Sequence, residues 1–387
     1  MFFSVNKFGE MVLSVNKINN FILFICFFSM GFLIFKLTIL MFVFYFILNS
    51  EKIFKKKLAV PEFVVFIILL FLTILFYLIS KVNGYYLDNI DKTEPIAVIT
   101  FCLVGGLIFI LSDFNEKKNI VISLIAGYGF YCLFVVAYNF YILDIASVYA
   151  NVYNPFSQSY ENSPKFANLL ILFSILIFYS FKELDKFFLK ILMIILFLFT
   201  FHMGIVTGSR SFLLVNFLFL LYFIIKSNKK YLLFFLSLIF PFVFIFFSNF
   251  DYEDFVVFQR LSEDGLESSR WDLYSAATTQ IINHPFGGGL IDKNIFGTSW
   301  YHNFFLDIGR MSGIFPLICF GFIYGICSIR AFNSDDSFLK IMFFSCFLIM
   351  QQDVIFSGIY GIFIISFFLC ILLFSQKNIH DLEESRF

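Results

Sequence analysis

Apolar segments long enough to cross a bilayer recur along most of this 387-residue sequence and restrict what it can fold into. A transmembrane helix needs about 20 consecutive apolar residues, and its backbone hydrogen bonds have to be satisfied within the segment. Only 14% of the residues are charged, against roughly 25% in a soluble domain. The sequence therefore predicts an all-α, polytopic membrane protein. The clearest apolar segments lie at about 63–80, 95–112, 120–142, 167–181, 188–206, 212–225, 231–247 and 314–330.

Two further apolar regions, 20–49 and 338–374, are divided by their polar residues. Lysines recur in alternate loops and at the N-terminus, and clusters of this kind mark the cytoplasmic side of a membrane protein. For the lysines of the N-terminus and those after residue 50 to lie on the same side, the chain has to cross the membrane twice within 20–49. The two short helices would be joined by a turn at Lys36. A polar interruption at 351–353 divides the second region in the same way. The prediction is one integral membrane domain over 1–387, with about 12 transmembrane helices and both termini cytoplasmic.

The segment 248–313 is the longest polar stretch and is predicted to be one large periplasmic loop. Ser268 or Ser269 can cap a helix there, and His284-Pro285 ends it because proline disfavours helical geometry in the preceding residue. An apolar stripe at three- and four-residue steps favours an amphipathic helix on the membrane surface, with Trp271 at the interface. The stripe consists of Trp271, Tyr274, Ala277, Thr278, Ile281 and Ile282.

Two arginines are candidate anion-binding residues, because a guanidinium group suits a phosphate. Arg270 stands in the first turn of the predicted helix, and Arg210 lies in a turn between two apolar segments. Each has an alternative role: Arg270 as a surface contact to lipid headgroups, and Arg210 as a side chain that extends to the headgroups. Gly287 and Gly289 belong to a glycine run that either lets the backbone approach a ligand closely or simply forms a loop.

A third candidate lies in "SWYHNFFLDIGRMSG", residues 299–313. His302, beside Asn303, is a candidate for proton transfer near neutral pH, although a lone histidine is more often structural. His284 lies in the same loop. Asp307 and Arg310 are spaced to pair with each other, either as a simple salt bridge or as a support for His302.

Several classes of site are not indicated. The formal net charge is zero, so no basic face is predicted for nucleic acid. The cysteines lie inside apolar segments without a metal-ligand spacing, so neither a metal nor a cofactor is predicted. A transferase on the outer face has no access to nucleotide sugars, so its donor would have to be activated by a lipid.

The motifs "TGSR", "RWDLY…INHPFGGG" and "HNFFL" occur in this order, with a large external loop late in the chain. Together they resemble the O-antigen polymerase and O-antigen ligase superfamily, over 206–214 and 268–313 for the motifs and over the whole chain for the topology. The resemblance implies inverting, metal-independent glycosyl transfer in the bacterial inner membrane. Its implied donor is an undecaprenyl-diphosphate-linked oligosaccharide, with no cofactor.

The resemblance also implies roles for single residues. Arg210 and Arg270 would neutralise the diphosphate leaving group, and His302 would orient or deprotonate the acceptor hydroxyl. The implied partners are the lipid-linked oligosaccharide, membrane lipid and a polysaccharide chain-length regulator. The candidate substrate-binding residues are Asn303, His284, Gly287, Gly289 and Trp271.

A polymerase is the leading hypothesis, because the segment 143–166 is rich in Tyr, Asn and Ser and offers a second external surface for glycan. The nearest alternative is the O-antigen ligase, which would share the donor site and transfer the glycan to lipid A–core. A lipid-linked oligosaccharide flippase or transporter is a third hypothesis, but it predicts ionisable residues within the spans.

Overall fold

The computed structural model is mostly helical. It describes residues 17–29, 32, 34–50, 71, 75, 78, 114–143, 151–226, 229, 232–233, 236–237, 270–287, 295 and 301–351. The predicted spans at 63–80 and 95–112, most of 231–247, the second half of 338–374 and much of the loop 248–313 lie outside the described residues.

Most of the described helices coincide with apolar segments of the sequence. Helix α3 is continuous but changes between α-helical and π-helical geometry, with π segments at Ile125–Gly129 and Tyr138–Ile142. The elements are α1 Lys17–Ser29, α2 Phe35–Leu48, α3 Phe114–Ile142, β1 Asn151–Asn154, β2 Ser159–Asn162, α4 Ser163–Glu183, α5 Phe187–Val206, α6 Arg210–Lys226, α7 Arg270–Asn283, α8 Phe304–Ser312, α9 Ile314–Asn333 and α10 Ser337–Met350.

Within the described residues, four helices are long and apolar enough to cross a membrane. They confirm the helices predicted at 120–142, 167–181, 188–206 and 314–330, and α6 contains the segment predicted at 212–225. The chain is therefore a helical membrane protein. The four spans are Lys118–Ile142, Ser163–Glu183, Phe187–Val206 and Ile314–Asn333.

Several lysines lie at one end of the helix bundle, which we call the lysine-rich end. There Lys118 donates a hydrogen bond to the Glu183 carbonyl at 3.3 Å, and Lys182 pairs with Asp336. Helices α4 and α5 meet at this end, α6 finishes there at Lys226, and α10 begins directly after Asp336. The opposite ends of α5 and α10 therefore lie toward the other side of the bundle, about 20–30 Å away at ~1.5 Å per residue.

Helices α1 and α2 form a hairpin whose two ends meet. The side-chain amides of Asn19 and Asn49 exchange hydrogen bonds of 3.1 and 3.2 Å, and Asn119 donates to the Asn20 carbonyl at 2.7 Å, near the lysine-rich end. The predicted turn is confirmed, and Lys36 lies at the start of α2. The helices are short: the 14 residues of α2 span about 21 Å, against a hydrocarbon thickness of about 30 Å.

The prediction of an all-α fold missed a two-stranded antiparallel sheet, β1–β2, which pairs Tyr153 with Tyr160. The sheet edge is satisfied by a side chain of α3. Asn139 donates to the Tyr153 carbonyl at 2.7 Å and accepts from the Tyr153 N–H at 2.9 Å. A strand this short is stable because a buried carboxamide supplies the hydrogen bonds that a third strand would give.

Candidate functional site

Helix α7 is the predicted amphipathic helix, and it ends at Asn283, immediately before His284-Pro285, as expected. Leu273, Ala277 and Ile281 are buried within the protein, and the last two belong to the predicted apolar stripe. Trp271 and Ile282 of the same stripe are 73% and 71% exposed. The predicted caps Ser268 and Ser269 lie outside the described residues.

The buried face of α7 is determined by α8, which packs against it in parallel. The Tyr301 hydroxyl, just before α8, donates to the Gln280 side chain at 2.9 Å. A β-carbon built on Gly309 would lie 2.7 Å from Cδ1 of Ile281, so α8 approaches α7 closely at this glycine. The periodicity alone could not choose between neighbouring stripes, because the choice depends on a helix more than twenty residues away.

Gly287 and Gly313 form the joint between α7, α8 and α9. Their φ angles are +88° and +90°, a left-handed region that suits glycine. The Ile314 N–H donates to the Pro285 carbonyl at 2.9 Å, which joins the end of α7 to the start of α9. Gly287 therefore has a structural role, while Gly289 lies outside the described residues.

His302 is half-buried and has a φ of +54°. Left-handed backbone is uncommon for a residue with a side chain, and such strain often occurs at functional sites. Asn303 follows as the N-cap of α8, where its Oδ1 accepts from the N–H groups of Phe305 and Leu306 at 3.1 and 3.2 Å. His302 thus lies immediately before the N-cap of α8.

Asp307 and Arg310 form a fully buried ion pair, with Nε and Oδ1 3.3 Å apart. The same Oδ1 accepts the Tyr301 N–H at 3.0 Å, so the pair anchors the residue before His302. Burial raises the pKa of Asp307, and Arg310 opposes that rise, with a smaller contribution from His302. Of the two roles left open by the sequence, the contacts favour a support for His302.

Gln351 joins this loop to α7 and α10. Its Oε1 accepts a hydrogen bond from Asn303, and its backbone carbonyl accepts the Tyr274 hydroxyl at 3.0 Å. Gln351, in the polar interruption at 351–353, therefore connects the cap of α8 to the first half of α7.

Arg210 begins α6 after a tight turn, as predicted. Gly208 has a φ of +72°, and the Ser209 hydroxyl accepts the Phe212 N–H at 3.3 Å. The turn follows α5, whose 20 residues begin at the lysine-rich end, so Arg210 lies about 30 Å from that end. Gln351 follows α10 toward the same side of the bundle. The structure therefore places Arg210 and the His302 loop at one end of the bundle.

Helix α7 separates the remaining candidates into two groups. Arg270 is its first residue, one turn before Tyr274, and the exposed Trp271 ring contacts Tyr274 edge to face at 6.1 Å. His284 and Gly287 follow its other end, about 21 Å along the 14-residue helix. Arg270 and Trp271 therefore share a region with His302 and Asn303, whereas His284 and Gly287 belong to the joint with α9.

The described residues contain no group of three or more His, Cys, Asp or Glu side chains that could hold a metal ion. Comparison with protein-family models finds no match for the chain, and comparison with curated proteins finds none either.

Proposed function

We propose that the chain is an O-antigen polymerase, a glycosyltransferase of the bacterial inner membrane. It would join undecaprenyl-diphosphate-linked oligosaccharide units at the periplasmic face by inverting, metal-independent transfer. The observation that carries the proposal is the placement of a left-handed His302, Arg210 and the first turn of α7 at one end of a helical bundle. Lys118, Lys182 and Lys226 lie at the other end, and such a cluster is typical of a cytoplasmic face.

The proposed donor site uses the two arginines. In the transfer, the bond between the anomeric carbon and the phosphate oxygen breaks while a bond to the acceptor oxygen forms. The leaving undecaprenyl diphosphate keeps the electron pair of the broken bond, and its negative charge increases. Arg210 and Arg270 would stabilise that charge, because guanidinium groups bind phosphate oxygens through paired N–H donors.

The proposed acceptor site uses His302. Its imidazole would take the proton from the attacking sugar hydroxyl and release it to water after transfer. Asp307 accepts the N–H of Tyr301, the residue before His302, and would thereby help to hold the imidazole in position. Asn303 is engaged as a helix cap and with Gln351, so its proposed contribution is mainly to hold His302 in place.

The O-antigen ligase is the second candidate function, since it would use the same donor site with lipid A–core as acceptor. A flippase is less well supported, because the described spans contain few ionisable side chains. A chain-length regulator is a proposed protein partner of the polymerase only.

The test is complementation of a strain that lacks the gene, followed by gel electrophoresis of its lipopolysaccharide. Arg210→Ala, Arg270→Ala and His302→Ala should each abolish the long ladder and leave a single repeat on the core. Arg330→Ala, at the lysine-rich end of α9, is the matched control and should leave the ladder unchanged.

Two other outcomes would redirect the proposal. Loss of every repeat from the core, including the first, indicates a ligase or a flippase. An unchanged ladder in all three variants contradicts the proposed site.

A further inference from the structure

Three tyrosines form a continuous aromatic surface on the β-hairpin and the end of α3, which we call the tyrosine ledge. Tyr153 and Tyr160 are paired across the two strands, with ring centroids 5.3 Å apart and an interplanar angle of 62°. Tyr138 extends the surface, with its centroid 6.3 Å from that of Tyr153. Tyr160 is 69% exposed, so the ledge is open to a ligand.

Contacts with α3 and α4 hold the strands of the ledge rigidly in place. Alternate residues of β1, Val152 and Asn154, are buried against α3, and Asn154 donates to the Tyr131 hydroxyl at 2.8 Å. Glu161 accepts from Asn154 and pairs with Lys165. Burial alone would raise the pKa of Glu161, but these hydrogen bonds and the lysine charge lower it. The strands therefore hold the tyrosines in place before any ligand binds, which reduces the entropic cost of binding.

The chemistry of the ledge distinguishes it from the lipid-facing surfaces of the chain. Those surfaces carry mainly Phe, Leu and Ile, such as Phe188 and Ile225. The outward face of β1 instead presents Tyr153 and the exposed carboxamide of Asn151. Aromatic rings with phenol and amide groups beside them suit a pyranose sugar, whose C–H face packs on a ring while its hydroxyls find donors and acceptors.

The π-helical end of α3 links the ledge to the turn that holds Arg210. Tyr138 lies in that π segment, and Tyr141 of the same segment has its hydroxyl 3.3 Å from Nε2 of His202. His202 lies near the end of α5, and α5 leads directly into the Arg210 turn. Single π-helical turns occur frequently at functional sites. A glycan attached to a diphosphate at Arg210 would therefore begin close to the ledge.

We propose that the tyrosine ledge is a glycan-binding subsite that holds the sugar residues of the lipid-linked oligosaccharide while its diphosphate is bound at Arg210. The ligand class is a hydroxyl-rich oligosaccharide, and recognition is by stacking on Tyr153 and Tyr160. The assignment of this ligand rests on the proposed function.

The experiment is saturation-transfer NMR on the full-length protein in nanodiscs. The probe is the lipid-free polysaccharide released by mild acid from the surface of the bacterium that carries the gene. Tyr160→Ala should weaken binding by about five- to tenfold, whereas Tyr160→Phe, which keeps the ring, should stay within about threefold. Phe188→Ala is the matched control, because Phe188 is an equally exposed aromatic residue at the lysine-rich end, and it should bind as the wild type does.

Equal binding by the wild type and Tyr160→Ala overturns the subsite. Tyr160-dependent association with empty anionic vesicles, without binding of the polysaccharide, also overturns it and makes the ledge part of an interfacial aromatic belt. The experiments distinguish failure of the glycan-binding subsite from failure of the proposed function. His302→Ala should bind the probe normally even if it abolishes the ladder, and an unchanged ladder in the arginine and histidine variants would not alter the binding measured here.

Discussion

The backbone conformation of His302 is fixed by the residues on both sides of it. The Tyr301 N–H is held by Asp307, and Asn303 is held by α8 and by Gln351. A residue between two such anchors has little freedom to leave a left-handed conformation, and the packing around it supplies the energy that the conformation costs. Histidine, asparagine and aspartate are the side chains that occur most often in this region.

His302→Asn therefore separates the backbone role from the chemistry. Asparagine tolerates the left-handed conformation, so thermal unfolding in detergent should be close to that of the wild type, while the long ladder should be lost. His302→Ala should lose the ladder and also about 1–2 kcal/mol of stability, since alanine bears the full cost of the left-handed backbone. A normal ladder in His302→Asn would rule out proton transfer at this position.

The Asp307–Arg310 pair gives a prediction that depends on pH. Arg310→Met should cost about 3–5 kcal/mol near neutral pH, because it leaves a buried carboxylate without its cation. Adding Asp307→Asn should recover most of that loss, since the amide oxygen can still accept the Tyr301 N–H.

Burial already raises the pKa of Asp307 in the folded protein, and loss of Arg310 should raise it further. A raised folded pKa contributes stability that is present below the unfolded pKa and is lost as pH rises through the folded value. The deficit of Arg310→Met should therefore shrink as pH falls. Unfolding at a series of pH values measures this, and a deficit independent of pH contradicts it.

At the scale of the element, the joint between α7, α8 and α9 depends on close approach of backbones. A β-carbon on Gly313 would overlap the Pro285 carbonyl, at a φ of +90°. One on Gly309 would meet the side chains of Ile281 and Leu317, and one on Gly321 meets nothing within 4 Å. The three positions therefore form a graded series.

Gly313→Ala should cost about 2–4 kcal/mol, as the sum of left-handed strain and overpacking. Gly309→Ala should cost about 1 kcal/mol, and Gly321→Ala should be neutral or slightly stabilising in the middle of α9. Thermal unfolding of the three variants in one detergent gives the order directly. A Gly313→Ala variant as stable as Gly321→Ala would show that the joint is not needed for the fold.

The elements also show how far the sequence could predict the fold. Helices α4, α5 and α9 were predicted within a few residues, because apolar length and flanking charge are local signals. The residues that α7 buries within the protein could not be read from its periodicity, because they depend on its packing against α8. The β-hairpin was missed because its edge is completed by Asn139, a residue of another element. Gln351 stood out as a polar residue in an apolar region, but its contacts with Asn303 and Tyr274 could not be predicted because both are distant in sequence.

At the scale of the whole molecule, two short hairpins meet between the ends of the bundle. The α1–α2 hairpin starts from the lysine-rich end, and Phe32 in its turn contacts Phe156 at the tip of the β-hairpin, with centroids 6.4 Å apart. Phe156 also packs on Tyr131 and Phe134 along α3. Because α1–α2 returns to its starting end, the predicted side of the N-terminus is the same whether the hairpin crosses the membrane or only enters it.

Labelling of single cysteines distinguishes these two arrangements. In a background with the seven native cysteines replaced by alanine, we expect Asn151→Cys, at the open end of the β-hairpin, to react with an impermeant maleimide in intact spheroplasts. Asp335→Cys, at the lysine-rich end, should react only after permeabilisation. Ile34→Cys is at the exposed turn of α1–α2 and should stay unlabelled in both conditions, because helices of about 21 Å cannot carry it through a hydrocarbon layer of about 30 Å. Labelling of Ile34→Cys from outside would instead establish two full crossings, and labelling of Asn151→Cys and Asp335→Cys from one side would overturn the orientation of the whole bundle.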